Sequence, residues 1–360
     1  MAAKGYAASE SLEVFQRADA LVNDGGDVVE RMEVLLGLYN VHYGRAELDD
    51  ALTIAQRNMT LACTHGRMLG RAHTILGQTL ASIGAFAEAR HHLEQSVDIF
   101  DREPEVTAEL GIFSGQQVVA LSFLAGIYFA LGEPELARHV AARSIEQANA
   151  SEHPMSIALA LVTDRLTPIP GGLDPDPDRA DAVVRFCQQH GLRNFEMWAR
   201  FALGATIVRR GDCREGMEMI RSAIAAADAM SSRLFRPVQL ATLAGGHARL
   251  GEIGEAFALI EKAIEVAERT GERQATASLY RAHGELLCAV GKPEKGAQRF
   301  TISLEIARMQ GAKAEEARIG KKLAALRTKR ESPAKPEPSA PMTDQGEKAV
   351  ANTAARRRVS

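Results

Sequence analysis

Imidazole pairs, cysteines, turn serines and glycine-lysine runs are where a chain can hold a metal, form a covalent intermediate or cradle a phosphate. His91-His92-Leu93-Glu94 offers imidazoles and a carboxylate, but neighbouring residues on a helix point about 100° apart. Both rings therefore cannot ligate one ion, and solvent-facing histidines are expected. A phosphate loop needs Gly-x-x-x-x-Gly-Lys-Ser/Thr so that backbone amides wrap the phosphates. Its nearest approach, Gly320-Lys321-Lys322, lacks the earlier glycine and falls in a helical pattern. Nucleophilic catalysis needs a serine or cysteine on a constrained turn with a base from another element. Gly-x-Ser-x-Gly does not occur, and Ser114 and Ser122 read as cap or packing residues. Cys63, Cys187, Cys213 and Cys288 lie far apart without a Cys-x-x-Cys pair, so they read as small core residues of a reducing compartment. The expectation is a protein that is not an enzyme, with no catalytic, cofactor-binding or metal-binding residues.

A recognition surface remains. Counted from the register of small residues in the repeats, side chains that project into a groove are Arg71, Thr74, Gln78 and Ser82, then Ser122 and Phe129. Further along come Trp198, Phe201 and Arg209, then Arg249, then Arg281 and Glu285. Trp and Arg dominate binding energy at many interfaces, and Trp198 is the only tryptophan. One reading is a peptide groove with an aromatic anchor and arginines that hold acidic side chains or a carboxylate terminus. The other is that Trp198 and Phe201 pack between neighbouring hairpins.

The elements that position these residues recur. The breaks IGAFAEA, LGEPELA, RGDCREG, LGEIGEA and VGKPEKG centre on Gly84, Gly132, Gly211, Gly251 and Gly291, spaced by 48, 79, 40 and 40 residues. Each separates two helical apolar patterns, and the interval of 79 predicts a hidden unit from about Met155 to His190. Small residues stand seven positions before each break (Gly77, Ala125, Gly204, Ala244, Gly284) and five after it (Ala89, Ala137, Gly216, Ala256, Gly296). Two helices that meet at such positions approach closely, and this double register is that of the tetratricopeptide repeat, whose usual unit is about 34 residues. Another pair breaks at YGRAEL near Gly44, and Ser9 to Val22 is an amphipathic helix with no partner before it. That helix offers a possible homodimer surface. Pro168, Pro170, Pro175 and Pro177 crowd the hidden unit, which predicts a shortened helix and a rigid loop.

Single cores rarely grow past roughly 250 to 300 residues, so a chain of 360 is either several domains or a solenoid. The expected fold is an all-α, tetratricopeptide-type superhelix of about seven hairpins with a capping helix over residues 1–330. A disordered Pro/Ala/Lys-rich tail follows over residues 331–360. Forty-three Lys+Arg against 46 Asp+Glu leave a charge of −3, which argues against nucleic acid as a partner. No window approaches a membrane span, and a cytoplasmic location is expected.

The runs GYAASESLEVFQRADAL, YGRAELDDALTIAQRNMTLA and GRAHTILGQTLASIGAFAEARHHLEQSVDIFD resemble the repeat region of large bacterial signalling proteins. So do VALSFLAGIYFALGEPELA, FEMWARFALGATIVRRGD and SLYRAHGELL, in the same order. Those proteins join a class III adenylate or guanylate cyclase domain, or a winged-helix DNA-binding domain, to a predicted ATPase and a C-terminal tetratricopeptide array. The resemblance covers nearly all of residues 5–326 and implies a regulatory module that binds a protein partner in a cyclase- or ATPase-linked system. It carries over no catalytic residue, since neither catalytic domain is represented. It implies a truncated product, a misplaced start or a stand-alone descendant. A small-molecule effector sensor is the alternative from another class.

Overall fold

The computed structural model describes residues 7–23, 25–66, 68–102, 115–166 and 176–331. Its described residues form helices and turns, with no strand among them: α1 Ser9–Asn23, α2 Val28–Gly44, α3 Leu48–His65, α4 Leu69–Ser82, α5 Phe86–Arg102, α6 Gln116–Ala130, α7 Pro134–Ala150 and α8 Pro154–Leu166. The order continues with α9 Pro177–Gln189, α10 Arg193–Arg210, α11 Cys213–Ala229, α12 Arg236–Arg249, α13 Ile253–Thr270, α14 Thr276–Ala289, α15 Pro293–Gln310 and α16 Lys313–Glu331. The chain is an all-α solenoid of helical hairpins. Residues 1–323 form one compact unit, to which all the hairpins belong, and residues 324–360 form another.

The hairpins α2/α3, α4/α5, α6/α7, α10/α11, α12/α13 and α14/α15 pack most closely. Their breaks obey the glycine register. Gly84, Gly132, Gly211, Gly251 and Gly291 take φ of 86°, 88°, 118°, 78° and 74°, the left-handed region that ends a helix without steric cost only for glycine. At YGRAEL the left-handed residue is Ala46, at φ 59°, while Gly44 stays helical. The small residues lie where backbones touch: a Cβ on Gly204 would sit 2.8 Å from the Gly216 carbonyl oxygen, and one on Gly296 2.9 Å from that of Gly284.

The hidden unit departs from expectation. Its helices, α8 and α9, are both present, with α9 started by the Asp176 cap and Pro177. They barely pair, however: α9 packs on α10, and α8 wedges among α6, α7 and α10. The expected rigid loop, with Pro168, Pro170 and Pro175, lies outside the described residues, as does Ser114 and the tail from 332 onward. Helix α1 packs on α2, with Phe15 against Gly37, and turns Val14 and Leu21 outward.

Among the described residues, small apolar clusters lie between neighbouring hairpins. One joins Val183, Cys187 and Leu203; the next joins Phe201, Met217, Ile220 and Leu243; a third joins Ala244, Ile260 and Leu286. This is the nearest-neighbour energetics of a solenoid.

The superhelix also closes on itself. The Gly44 carbonyl accepts from the Arg233 and Leu234 amides at 2.8 and 3.3 Å, and the Ser82 carbonyl from those of Arg273 and Gln274 at 2.9 and 3.1 Å. Beyond them, Gly132 lies against Lys313 and Gly311 against Leu131, while the Arg318 guanidinium sits 5.5 Å from the Phe129 ring centre. The turns after α2, α4 and α6 thus meet the turns after α11, α13 and α15. Three successive contacts form a seam between hairpins remote in sequence.

Candidate functional site

The turn of superhelix wraps around a half-open cavity of about 670 Å³. Its wall is built from first helices. On α10, Asn194, Trp198, Phe201, Ala205 and Arg209 all line it, because steps of four, three, four and four residues keep to one helical face. Leu36, Asn40 and Tyr43 come from α2, Ile75 and Gln78 from α4, and Val119, Ser122, Phe123 and Phe129 from α6; the seam adds Leu234, Phe235 and Gln274.

Among the described lining residues there is no carboxylate, imidazole, thiol or amine, and Arg209 is the single charged side chain. The chemistry on offer is apolar shape, amide and hydroxyl hydrogen bonding, and one cation. Trp198 is held edge-on to Phe235, ring centres 5.2 Å apart at 84°, and packs against two of the apolar clusters. Phe201 is buried in one of them. These aromatics pack between hairpins and also face the cavity. Arg209 donates to Thr206 Oγ1 at 3.1 Å and pairs with no carboxylate among the described residues. Burial, and then the Arg249 charge, hold its guanidinium below the usual arginine pKa.

Of the twelve groove residues expected from sequence, the cavity wall gathers Gln78, Ser122, Phe129, Trp198, Phe201 and Arg209. The other six stand elsewhere. Arg71, only 1% exposed, donates to Glu33 Oε1 at 2.6 Å and to Met68 Sδ, which ties α4 to α2. Arg249 donates to the Val208 and Arg209 carbonyls at 2.6 and 3.0 Å, capping the C-terminal end of α10, where a cation is favoured. Arg281 bonds Glu315 and, at 3.1 Å, Glu285, and Glu285 also pairs with Lys322 at 3.0 Å. Thr74 faces Ser96 at 2.7 Å inside its own hairpin, and Ser82 meets the Tyr43 hydroxyl at 2.8 Å. Counting from the small-residue register assumes one inward face throughout, whereas Arg71, Arg249, Arg281 and Glu285 are taken up by groups on neighbouring helices.

Two other expectations change. His91 is exposed, but His92 turns in and places its Nδ1 2.9 Å from His73 Nδ1. Burial and the neighbouring imidazoles push His73 down to about 4, so this pair is neutral. Cys63 is exposed rather than core, and only Cys187 and Cys213 are buried; burial pushes the Cys187 thiol up to about 11. Sequence reasoning missed Asn194, which its spacing to Trp198 could have revealed. It also missed Phe235 and Gln274, which lie in turns and carry no periodic signal.

No family model matches this chain, and no curated protein sequence matches it. Among solved structures, it is similar to a Rap protein complexed with competence and sporulation factor, at a TM-score of 0.57 and 13% identity over 88% of this chain and 87% of that one. A signal transduction ATPase with numerous domains and a tetratricopeptide sensor from Pyrococcus horikoshii gives 0.46 and 14%, over 89% of this chain and 53% of that one. A tetratricopeptide repeat protein from Parabacteroides merdae gives 0.43 and 16%, over 89% and 100%. At such identities the Rap likeness defines a fold: an all-α superhelix of tetratricopeptide type. No described helix is long and apolar enough to cross a membrane.

Proposed function

We propose that the chain is a non-catalytic recognition module that binds a short segment of a partner protein inside its superhelix. The observation that carries this reading is an apolar cavity whose single charged lining side chain, Arg209, has no carboxylate partner among the described residues. A chain segment with apolar side chains and one carboxylate, from its terminus or from Asp or Glu, complements that wall. The solved Rap protein of similar fold is complexed with competence and sporulation factor, which is in keeping with a recognition role. By the sequence resemblance, the module serves a cyclase- or ATPase-linked bacterial signalling system in the cytoplasm. A second reading, a small-molecule sensor, is favoured by the cavity volume, which falls within the roughly 300–1,000 Å³ of small-ligand pockets.

The test is a panel of short apolar peptides, each with a free and an amidated C-terminus, beside a panel of small metabolites, all titrated against Trp198 fluorescence and by calorimetry. Binding of acidic or free-carboxylate members, weakened about 10- to 100-fold by Arg209→Ala and reduced by Trp198→Ala, supports the peptide reading. Equal binding to wild type and both variants defeats it. A response only to metabolites selects the sensor.

A further inference from the structure

The residues that line the cavity and those that close the seam overlap: Tyr43, Gly44, Leu234, Phe235 and Gln274 lie in both. At the centre of the overlap stands Glu272, only 1% exposed, in the turn between α13 and α14. Its Oε2 accepts the Phe235 amide at 3.0 Å, and its Oε1 the Gln274 side-chain amide at 3.2 Å. Those two donors sit in the very turns that reach across to the earlier hairpins, and the next residues on, Arg273 and Gln274, supply the amides held by Ser82. Phe235 itself is a bulky residue at φ 61°, a conformation sustained only when its surroundings over-determine it.

We propose that the seam is a proton-controlled latch in the cavity wall: Glu272 holds it shut when protonated and loosens it when ionised, which widens the way into the cavity. The proposal rests on the cavity being a binding site, but its test reads the seam separately.

The charges that face Glu272 explain the direction. Arg236 at the start of α12 attracts it, but that guanidinium is already shared with Asp228 at 2.8 and 3.2 Å. From α2 the facing group is the Tyr43 hydroxyl, itself raised above its ordinary pKa first by burial. Both hydrogen-bond donors are neutral, and among the described residues no ion pair reaches the carboxylate. Burial therefore outweighs the donors and lifts Glu272 from 4.5 to about 8. With the seam parted, the carboxylate is solvated and ordinary. Closing then takes up a proton. Closure is strongest below about pH 4.5, weakens as pH rises between that value and about 8, and changes little beyond.

Hydrogen exchange of the Arg233, Leu234, Arg273 and Gln274 amides, corrected for intrinsic chemistry and compared with helix-interior amides, reads the latch between pH 5.5 and 8.5. In the wild-type protein their protection should fall with pH, by up to tenfold per unit, the limit for one linked proton. In Glu272→Gln, which keeps an acceptor without the charge, it should stay high and flat. Stopped-flow entry of the apolar anion 1-anilinonaphthalene-8-sulfonate reads the cavity, and should speed up with pH in the wild type alone. If the variant folds poorly, the Trp198 emission of the wild type, its ring edge-on to Phe235 of the seam turn, should shift across the same window. Identical pH profiles in both proteins, pH-independent seam protection in the wild type, or dye entry that ignores seam opening would each overturn the latch. If the dye does not bind, or binds Arg209→Ala equally well, the cavity reading fails while the exchange data still judge the seam.

Discussion

Replacing Gly216 with alanine tests the packing that carries the cavity wall. A Cβ there would lie 2.6 Å from the Gly204 carbonyl oxygen, 2.7 Å from Val208 Cγ2 and 2.8 Å from the Val208 amide nitrogen. Two of those three atoms are backbone of α10, so no side-chain rotation relieves the clash and α10 must move off α11. Overpacking of this kind costs about 1–3 kcal/mol, against which alanine recovers at most about 1 kcal/mol of helix propensity. The expected net loss is about 1–2 kcal/mol. Gly245, mid-way along α12 with no neighbouring atom within 4 Å of an added Cβ, is the control: there the same change should stabilise by about 0.4–1 kcal/mol. Urea unfolding followed by circular dichroism gives the midpoints. Because an array need not melt in one step, hydrogen exchange of α10 and α11 amides should localise the effect. Since α10 carries Trp198, Phe201 and Arg209, Trp198 emission should change in Gly216→Ala and not in Gly245→Ala. A Gly216→Ala protein as stable as the control would refute close helix contact as the basis of the hairpin.

Glu33→Ala should destabilise the α2–α4 contact by about 1–2 kcal/mol, because it strands the buried Arg71 guanidinium, an effect moderated by the 35% exposure of the Glu33 side chain. Adding Arg71→Met should recover most of that loss in a denaturant titration; an unchanged midpoint for the single variant would mean the pair contributes nothing. His73, held down at about 4 from 6.5, binds its proton more readily in the unfolded chain. Stability should therefore fall as pH drops from about 6.5 toward 4, with the opposite sign to Glu272, and His73→Gln should flatten that limb. Carbon-proton resonances of His73 that titrate near 6.5 would show the reasoning to be mistaken.

The hairpins were legible because their causes are local. A glycine that must turn left-handed, an apolar stripe at helical spacing and a small residue where helices touch each leave a mark within one repeat. So did the face of α10, where Trp198, Phe201 and Arg209 follow one another at steps a helix keeps in line. The same counting misplaced Arg71, Arg249, Arg281 and Glu285, because an arginine that will cap a neighbouring helix or bind a buried glutamate looks, in sequence, like one that faces a groove. His92 misled for a similar reason: its partner, His73, lies on the other helix of the hairpin.

The sequence by itself thus determined the class of fold, the repeat and much of one cavity wall, since helix formation and hairpin packing depend on contacts within and between adjacent repeats. Only the tertiary structure decided that the array closes. Whether Gly44 meets Arg233 and Ser82 meets Arg273 depends on the accumulated rotation of all the hairpins between them. No single residue pattern encodes that sum, and with it comes the burial of Glu272, a glutamate in a turn that reads as solvated until the seam covers it.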